Sequence, residues 1–280
     1  MSKVRLMLAA LVMTVAASGQ YVSVVVPTQP AASPVTRPEP RVQVADDPLV
    51  IFQNLIGSSS ANRRRAISQL GWKDDEKFAE DPSFISDARF YRVNLDDDPE
   101  MEAILKLKVG FYETRVLIFR KTMGQWWRIG EFSLTYMWVA NEAEDMLELR
   151  DIVGLGYKDI VIRLTAGGTD IQKAIVLSIY RLYKGPLYRT FETTEEFAVR
   201  RLTMIDDERN RIYYPEPEQD KDTYIVVRNS KQFIPESDWG VVEFPPKVID
   251  CIPYRWDPAK YLFVVDRSAT GKFCRVAPQP

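Results

Sequence analysis

The 280-residue chain has no histidine and only two cysteines. The first absence excludes every mechanism built on an imidazole: Ser-His-Asp and Cys-His nucleophile activation, histidine acid–base work, and histidine-ligated zinc, iron or haem. It also leaves neither cysteine with a histidine base to activate it, so a catalytic thiol has no support. An excess of charge of one sign is lacking too. Thirty-nine acidic side chains face 37 basic ones, a net charge of −2, which provides no broad field to draw in nucleic acid. A phosphate-cradling loop is missing as well. Gly167-Gly168-Thr169-Asp170 lies between two strand patterns with no helix pattern after it, and reads as a hairpin loop.

Long apolar runs are confined to the N-terminus. Lys3 and Arg5 precede the uncharged stretch Leu6–Ala17, and the small residues Ala17-Ser18-Gly19 stand before Gln20. A basic start, a short apolar core and a small-residue end are the marks of a cleaved secretory signal over residues 1–19. The competing reading keeps Leu6–Val26 as an uncleaved membrane anchor; a third buries the segment as the first helix of a cytosolic protein. Six of the 18 prolines fall between Pro27 and Pro48, so residues 20–48 read as an extended linker. In an exported chain, Cys251 and Cys274 suggest one disulfide closing a C-terminal loop, with two unpaired buried thiols as the alternative.

What remains is long enough for one or two domains with a real core. Residues 49–88 are expected to form a helical segment. Val50, Ile51, Leu55 and Ile56, then Ala66, Ile67 and Leu70, recur near helical spacing. Gly57-Ser58-Ser59-Ser60 divides them, with Ser60 or Asn62 capping the second helix. Arg63-Arg64-Arg65 reads as its solvated face, with contact to an anionic surface as the alternative. Over residues 89–280 the period changes to two. Ala103-Ile104-Leu105-Lys106-Leu107-Lys108 and Val161-Ile162-Arg163-Leu164 alternate as half-buried strands do. A dozen such strands are expected from Arg89 to Val265, among them Leu187–Glu192, Ala198–Ile205, Thr223–Arg228 and Val248–Trp256.

The strands repeat. Asn94-Leu95-Asp96-Asp97-Asp98-Pro99-Glu100-Met101-Glu102 aligns without a gap on Asp151-Ile152-Val153-Gly154-Leu155-Gly156-Tyr157-Lys158-Asp159. An aromatic-Arg pair, a tight turn and a second aromatic recur three times, at Phe119-Arg120, Tyr180-Arg181 and Tyr254-Arg255. The expected fold is therefore mainly β: three divergent four-stranded antiparallel repeats near 89–133, 147–192 and 198–265, propeller-like or an open stack, after the short helical segment. The first loop resembles the calcium-binding loop of integrin-α-type (FG-GAP or VCBS) repeats. The resemblance implies a Ca²⁺ site with side-chain ligands Asn94, Asp96, Asp98 and Glu102, and with Glu100 in the place of the backbone ligand. Pro99 replaces the family's usual glycine. In the second loop Asp151 and Asp159 match, while Val153 and Leu155 carry no ligand oxygen.

Read from the residues alone, the acidic loop serves either as a hard-cation site, since calcium takes six to eight oxygens, or as a turn whose Asp and Asn side chains bond the backbone. Trp126-Trp127, Tyr136 and Trp138 form an aromatic cluster, with Trp239 and Trp256 elsewhere. These fill sheet faces or offer a binding surface. The expected function is non-catalytic binding or scaffolding of a protein or glycan in the cell envelope by a secreted or periplasmic protein. Membrane contact would follow only if the leader stays uncleaved, as in an anchored assembly factor. The alternative is a glycan hydrolase using paired carboxylates drawn from Glu142, Glu144, Asp145, Glu148, Asp206, Asp207 and Glu208.

Overall fold

Two short helices form where local chemistry starts and stops them. Helix α1, Pro48–Ile56, begins with proline at its first position and with the Asp47 carboxylate accepting the Leu49 N–H at 2.8 Å. Helix α2, Ser60–Gln69, is capped by Ser59, one residue before the expected cap, whose hydroxyl accepts the Asn62 N–H at 3.3 Å. The computed structural model describes residues 42–72, 80–110, 113–135, 147–169, 172–183, 185–201, 204–216, 222–237, 240–241 and 247–274. The expected signal, most of the linker, Tyr136, Trp138, Glu142, Glu144, Asp145, Asp170, Trp239 and the Asp206 side chain lie outside the described residues.

The chain is mainly β, in two antiparallel sheets that do not close into a barrel. The strands are β1 (Val42–Val44), β2 (Ile85–Val93), β3 (Glu102–Val109), β4 (Glu113–Thr122), β5 (Gln125–Thr135), β6 (Leu147–Arg150), β7 (Asp159–Thr169), β8 (Gln172–Leu182), β9 (Leu187–Arg201), β10 (Met204–Tyr213), β11 (Tyr224–Ser237), β12 (Gly240–Val241), β13 (Lys247–Asp257) and β14 (Leu262–Val265). The first sheet runs β1-β5-β4-β3-β2. The second runs β14-β13-β11-β10-β9-β8-β7-β6, with β12 beside β11.

Burial follows the alternation of the strands and stacks three cores in series. On one face of the first sheet Leu105, Leu107, Leu117, Phe119 and Trp126 pack under Ile51, Leu55, Ala66, Ile67 and Leu70 of the helical segment. On its other face Ile104, Val116 and Ile118 meet Ile160, Ile162, Tyr180 and Leu182. The reverse face of β7 and β8 carries Val161, Leu177 and Ile179, which join Phe191, Ile225, Val227 and Phe263. Strands β3 and β7, expected to be half-buried with one wet face, are instead buried on both faces: Ala103, Ile104, Leu105 and Lys106 are all buried, as are Ile160, Val161 and Ile162, because a core packs on each side. Each fully buried Leu, Ile or Phe contributes about 1.5–3 kcal/mol relative to exposure.

The two ends differ in cover: β13, near the far edge of the second sheet, keeps exposed residues such as Val248 and Ile249. The helices cover the first sheet. At the other end Thr270–Phe273 forms a single helical turn, α3, whose Phe273 ring lies 4.8 Å from that of Tyr224, while Arg228 Nη2 donates to the Phe273 carbonyl at 2.9 Å. A disulfide between Cys251 and Cys274, with Cα atoms 5.7 Å apart, ties this turn to β13.

Several boundaries differ from those expected. Val42–Val44, within the proline-rich stretch, pairs with β5 as an edge strand. Strand β2 starts at Ile85, inside the segment expected to be helical. The expected strand Ala198–Ile205 is divided between the end of β9 and the start of β10, because β9 continues past Glu192 as far as Arg201. Strand β7 runs on to Thr169, through the glycines expected to form a loop. Arg63 is not on a solvated face. It is 2% exposed, and its guanidinium donates to the Gly57 carbonyl at 2.5 Å and the Glu80 carbonyl at 3.3 Å. Its neighbours Arg64 and Arg65 remain exposed and pair with Glu80 and Asp46.

Candidate functional site

The acidic loop between β2 and β3 is built from its own side chains. Asn94 Oδ1 accepts the Asp96 N–H at 3.1 Å, Asp96 Oδ1 accepts the Asp98 N–H at 3.0 Å, and Asp98 Oδ1 accepts the Glu100 N–H at 2.8 Å. Each residue caps the backbone two positions on, the turn chemistry that Asn and Asp favour. The loop then enters β3 at Glu102, whose Oε2 accepts the Leu95 N–H at 2.9 Å across the loop.

This winding brings carboxylate oxygens of Asp96, Asp98 and Glu102 within 4.8 Å of one another. Two of the five residues implied by the resemblance do not join them. The Asn94 amide oxygen is turned to its backbone bond, and Glu100 is exposed at the edge. Arg120 does join them, and the sequence reading had not assigned it to the loop. From β4, directly beside the first residue of β3, its Nη2 lies 2.9 Å from Asp96 Oδ2 and 2.5 Å from Asp98 Oδ2. Its Nε is 3.8 Å from Glu102 Oε1.

Three carboxylates share one guanidinium, so negative charge is left over. Glu102 carries most of the consequence. It is 1% exposed, and Oε1 is buried without a hydrogen-bond partner. Burial, reinforced by the charges of Asp96 and Asp98, raises its carboxyl from an ordinary 4.5 to about 7. Burial likewise raises Asp96, against the pull of the Asp98 N–H and Arg120.

The second loop occupies the equivalent place with different chemistry. Asp151 accepts three N–H groups, from Gly154 at 2.7 Å, Leu155 at 3.1 Å and Gly156 at 2.8 Å. Asp159 opens β7 as Glu102 opens β3, and accepts the Ile152 N–H at 3.1 Å. Here the balance is one to one: Arg181 binds Asp159 through Nε at 2.6 Å and Nη2 at 2.7 Å, both side chains being 1% exposed. The loops touch, Lys158 N–H donating to the Asn94 carbonyl at 2.8 Å. In the third hairpin Arg255 lies 3.5 Å from Asp222 and 3.9 Å from Asp266. The arginine of each aromatic-Arg pair therefore clasps a carboxylate near the start of the strand beside it. The recurrence was visible in the sequence; the role was not, because the partners lie 18 to 33 positions away.

Beside the acidic loop lies an open groove of about 470 Å³, lined by Asp98, Glu100, Arg120, Lys121, Thr122, Met123, Trp127, Ile129 and Gly185. The adjacent tryptophans divide as a strand requires. Trp126 is buried in the helical core with the Arg92 guanidinium 4.6 Å over its ring, whereas Trp127 is half-buried on the opposite face. Asp96 and Glu102 do not line the groove.

The described acidic residues considered for hydrolysis are engaged elsewhere. Glu148 pairs with Arg150 and Arg163, Asp207 with Arg209, and Glu208 accepts from Asn229. No family model, no curated protein and no solved structure matches this chain.

Proposed function

We propose that the chain is a non-catalytic binding or scaffolding protein of the cell envelope, built as an open stack of three divergent β repeats. Strands β2–β5, β6–β9 and β10, β11, β13 and β14 are the repeats in this reading. Shared cores support it, and so does the helical cover on the outer face of the first sheet, the kind of cap a stack needs when its ends do not meet. The carrying observation is that Glu102, a carboxyl poised near 7, does not reach the groove. A glycan hydrolase needs its raised-pKa acid at the bound substrate. Incubation with neutral oligosaccharides and reporter glycosides tests this: they are expected to stay intact, and turnover abolished by Asp98→Asn or Glu102→Gln would overturn the reading.

Calcium stabilising the first repeat belongs to the same proposal. The donor set is hard oxygen, and the orphaned Glu102 Oε1 is an atom a cation would satisfy. Asp96, Asp98 and Glu102 would hold it, with Arg120 giving up its place between the two aspartates. Melting with and without chelator tests the site; an unchanged midpoint in millimolar calcium sinks it. Export to an oxidising compartment fits the Cys251–Cys274 disulfide and the leader pattern. N-terminal sequencing of exported protein should begin at or near Gln20, and an intact leader would favour the anchored form.

A further inference from the structure

We infer that the groove beside the acidic loop is a binding site for a neutral glycan, with Trp127 as its stacking platform. This rests on the binding reading above and names the ligand class. Trp127 and Arg120 are opposite residues on β5 and β4. Every other tryptophan whose side chain is described is engaged: Trp72 Nε1–H donates to Glu131, Trp126 stacks with Arg92, and Trp256 packs on Tyr261, Phe263 and Arg181. Trp127 has no ring, cation or hydrogen-bond partner among the described residues, and it lines a groove.

The charges around it select the ligand. Asp98 and Glu100 contribute two negative groups, Arg120 and Lys121 two positive ones. Two charges of each sign offset one another, so the groove offers no net attraction to an ion of either sign. An uncharged polyol does not depend on such attraction. It needs donors and acceptors together, and the Glu100 carboxylate and Lys121 ammonium have no partner among the described residues, while Asp98 and Arg120 hold each other in position. The C–H face of a pyranose ring then lies on the indole.

The rim points the same way. Met123 is 98% exposed at the tip of the β4–β5 hairpin with φ 53°, followed by Gly124 at φ 78°. A two-residue turn of this kind favours Asn-Gly, so methionine here is not the residue that best stabilises the turn. It does place an apolar side chain at the mouth of the groove.

The test uses ¹⁵N-labelled full-length protein in chelator, the state in which Arg120 holds Asp96 and Asp98. The Trp127 indole N–H signal, assigned through Trp127→Phe, is followed during titration with cellotriose, maltotriose, laminaritriose and N-acetylchitotriose. Tetramethylammonium and sulfate serve as charged probes. The expected result is a saturable shift with at least one trisaccharide at a Kd of about 1 mM; backbone amide shifts of the β4–β5 hairpin, followed in the same titrations, should show affinity weakened about tenfold by Trp127→Ala and also weakened by the surface change Glu100→Ala. No shift with any trisaccharide at about 20 mM, a response to the ions alone, or unchanged affinity in both variants overturns the inference. Loss of glycan binding would leave scaffolding of a protein partner standing. Cleavage of a bound glycan would instead remove the non-catalytic reading and leave the site.

Discussion

Replacing Glu102 by glutamine should make the protein more stable at neutral and alkaline pH. The wild-type carboxyl is 1% exposed, faces Asp96 and Asp98, shares Arg120 with them, and titrates at about 7 when folded. Its ordinary value of 4.5 applies to the unfolded chain. Because the folded value is the higher one, the native state binds the proton more tightly. The associated stability is fully present below about pH 4.5 and is lost as pH rises through about 7. At 1.36 kcal/mol per pH unit, the separation of 4.5 from 7 amounts to about 3 kcal/mol. Glutamine keeps an oxygen for the Leu95 N–H and carries no charge at any pH.

In chelator, urea denaturation of the two proteins should give similar stabilities near pH 5. By pH 8 the wild type should fall about 3 kcal/mol below the variant, a separation of roughly 6–12 °C in Tm. Comparing the proteins at each pH cancels groups common to both. Curves that stay parallel within about 0.5 kcal/mol from pH 5 to 8 would refute the reasoning, since they would mean that Glu102 is ionised at no cost in the native loop. Calcium should reverse the order if it binds as proposed, because only the ionised wild-type carboxylate is a full ligand.

Arg181→Met should cost about 3–5 kcal/mol by leaving Asp159 buried and uncompensated, and the double variant with Asp159→Leu should recover much of it; a double-mutant cycle by urea denaturation reports both. Replacing Cys251 and Cys274 together by serine opens a loop with a sequence separation of 23 and should cost about 3 kcal/mol, read by comparing denaturation midpoints. Gly130→Ala places a Cβ 2.7 Å from Leu187 Cδ1, where the two sheets meet, and should cost about 1–3 kcal/mol; an unchanged Tm would mean that Leu187 moves aside freely.

The local signals in this chain were the ones that could be read directly. Alternation over Ala103–Lys108 and Val161–Leu164 marks strands because the side-chain period of a strand is two, whatever it packs against. The Gly57-Ser58-Ser59-Ser60 break between two helices was legible for equally local reasons, although the caps fall on Asp47 and Ser59, and Asn94, Asp96 and Asp98 mark a turn. Arg63 was misjudged because a basic run looks alike in sequence whether its first guanidinium points to water or clamps two carbonyls. Strand β9 extends beyond its apolar signal because polar residues such as Thr193, Thr194 and Glu196 lower that signal while the ladder to β8 continues through them, with Glu195 skipped at a bulge.

Composition and spacing therefore determined the mainly β character and most of the strands, the pairing of aromatic with arginine in three hairpins, and the acidic loop as the place where negative charge concentrates. Tertiary structure decided what that charge meets. Register set Arg120 beside Glu102 and Arg181 beside Asp159, leaving one loop with surplus negative charge and the other balanced. It also sent Trp126 into a core and Trp127 to a groove. Neighbours on one strand point to opposite faces, and only the packing of the sheets determines which face is buried.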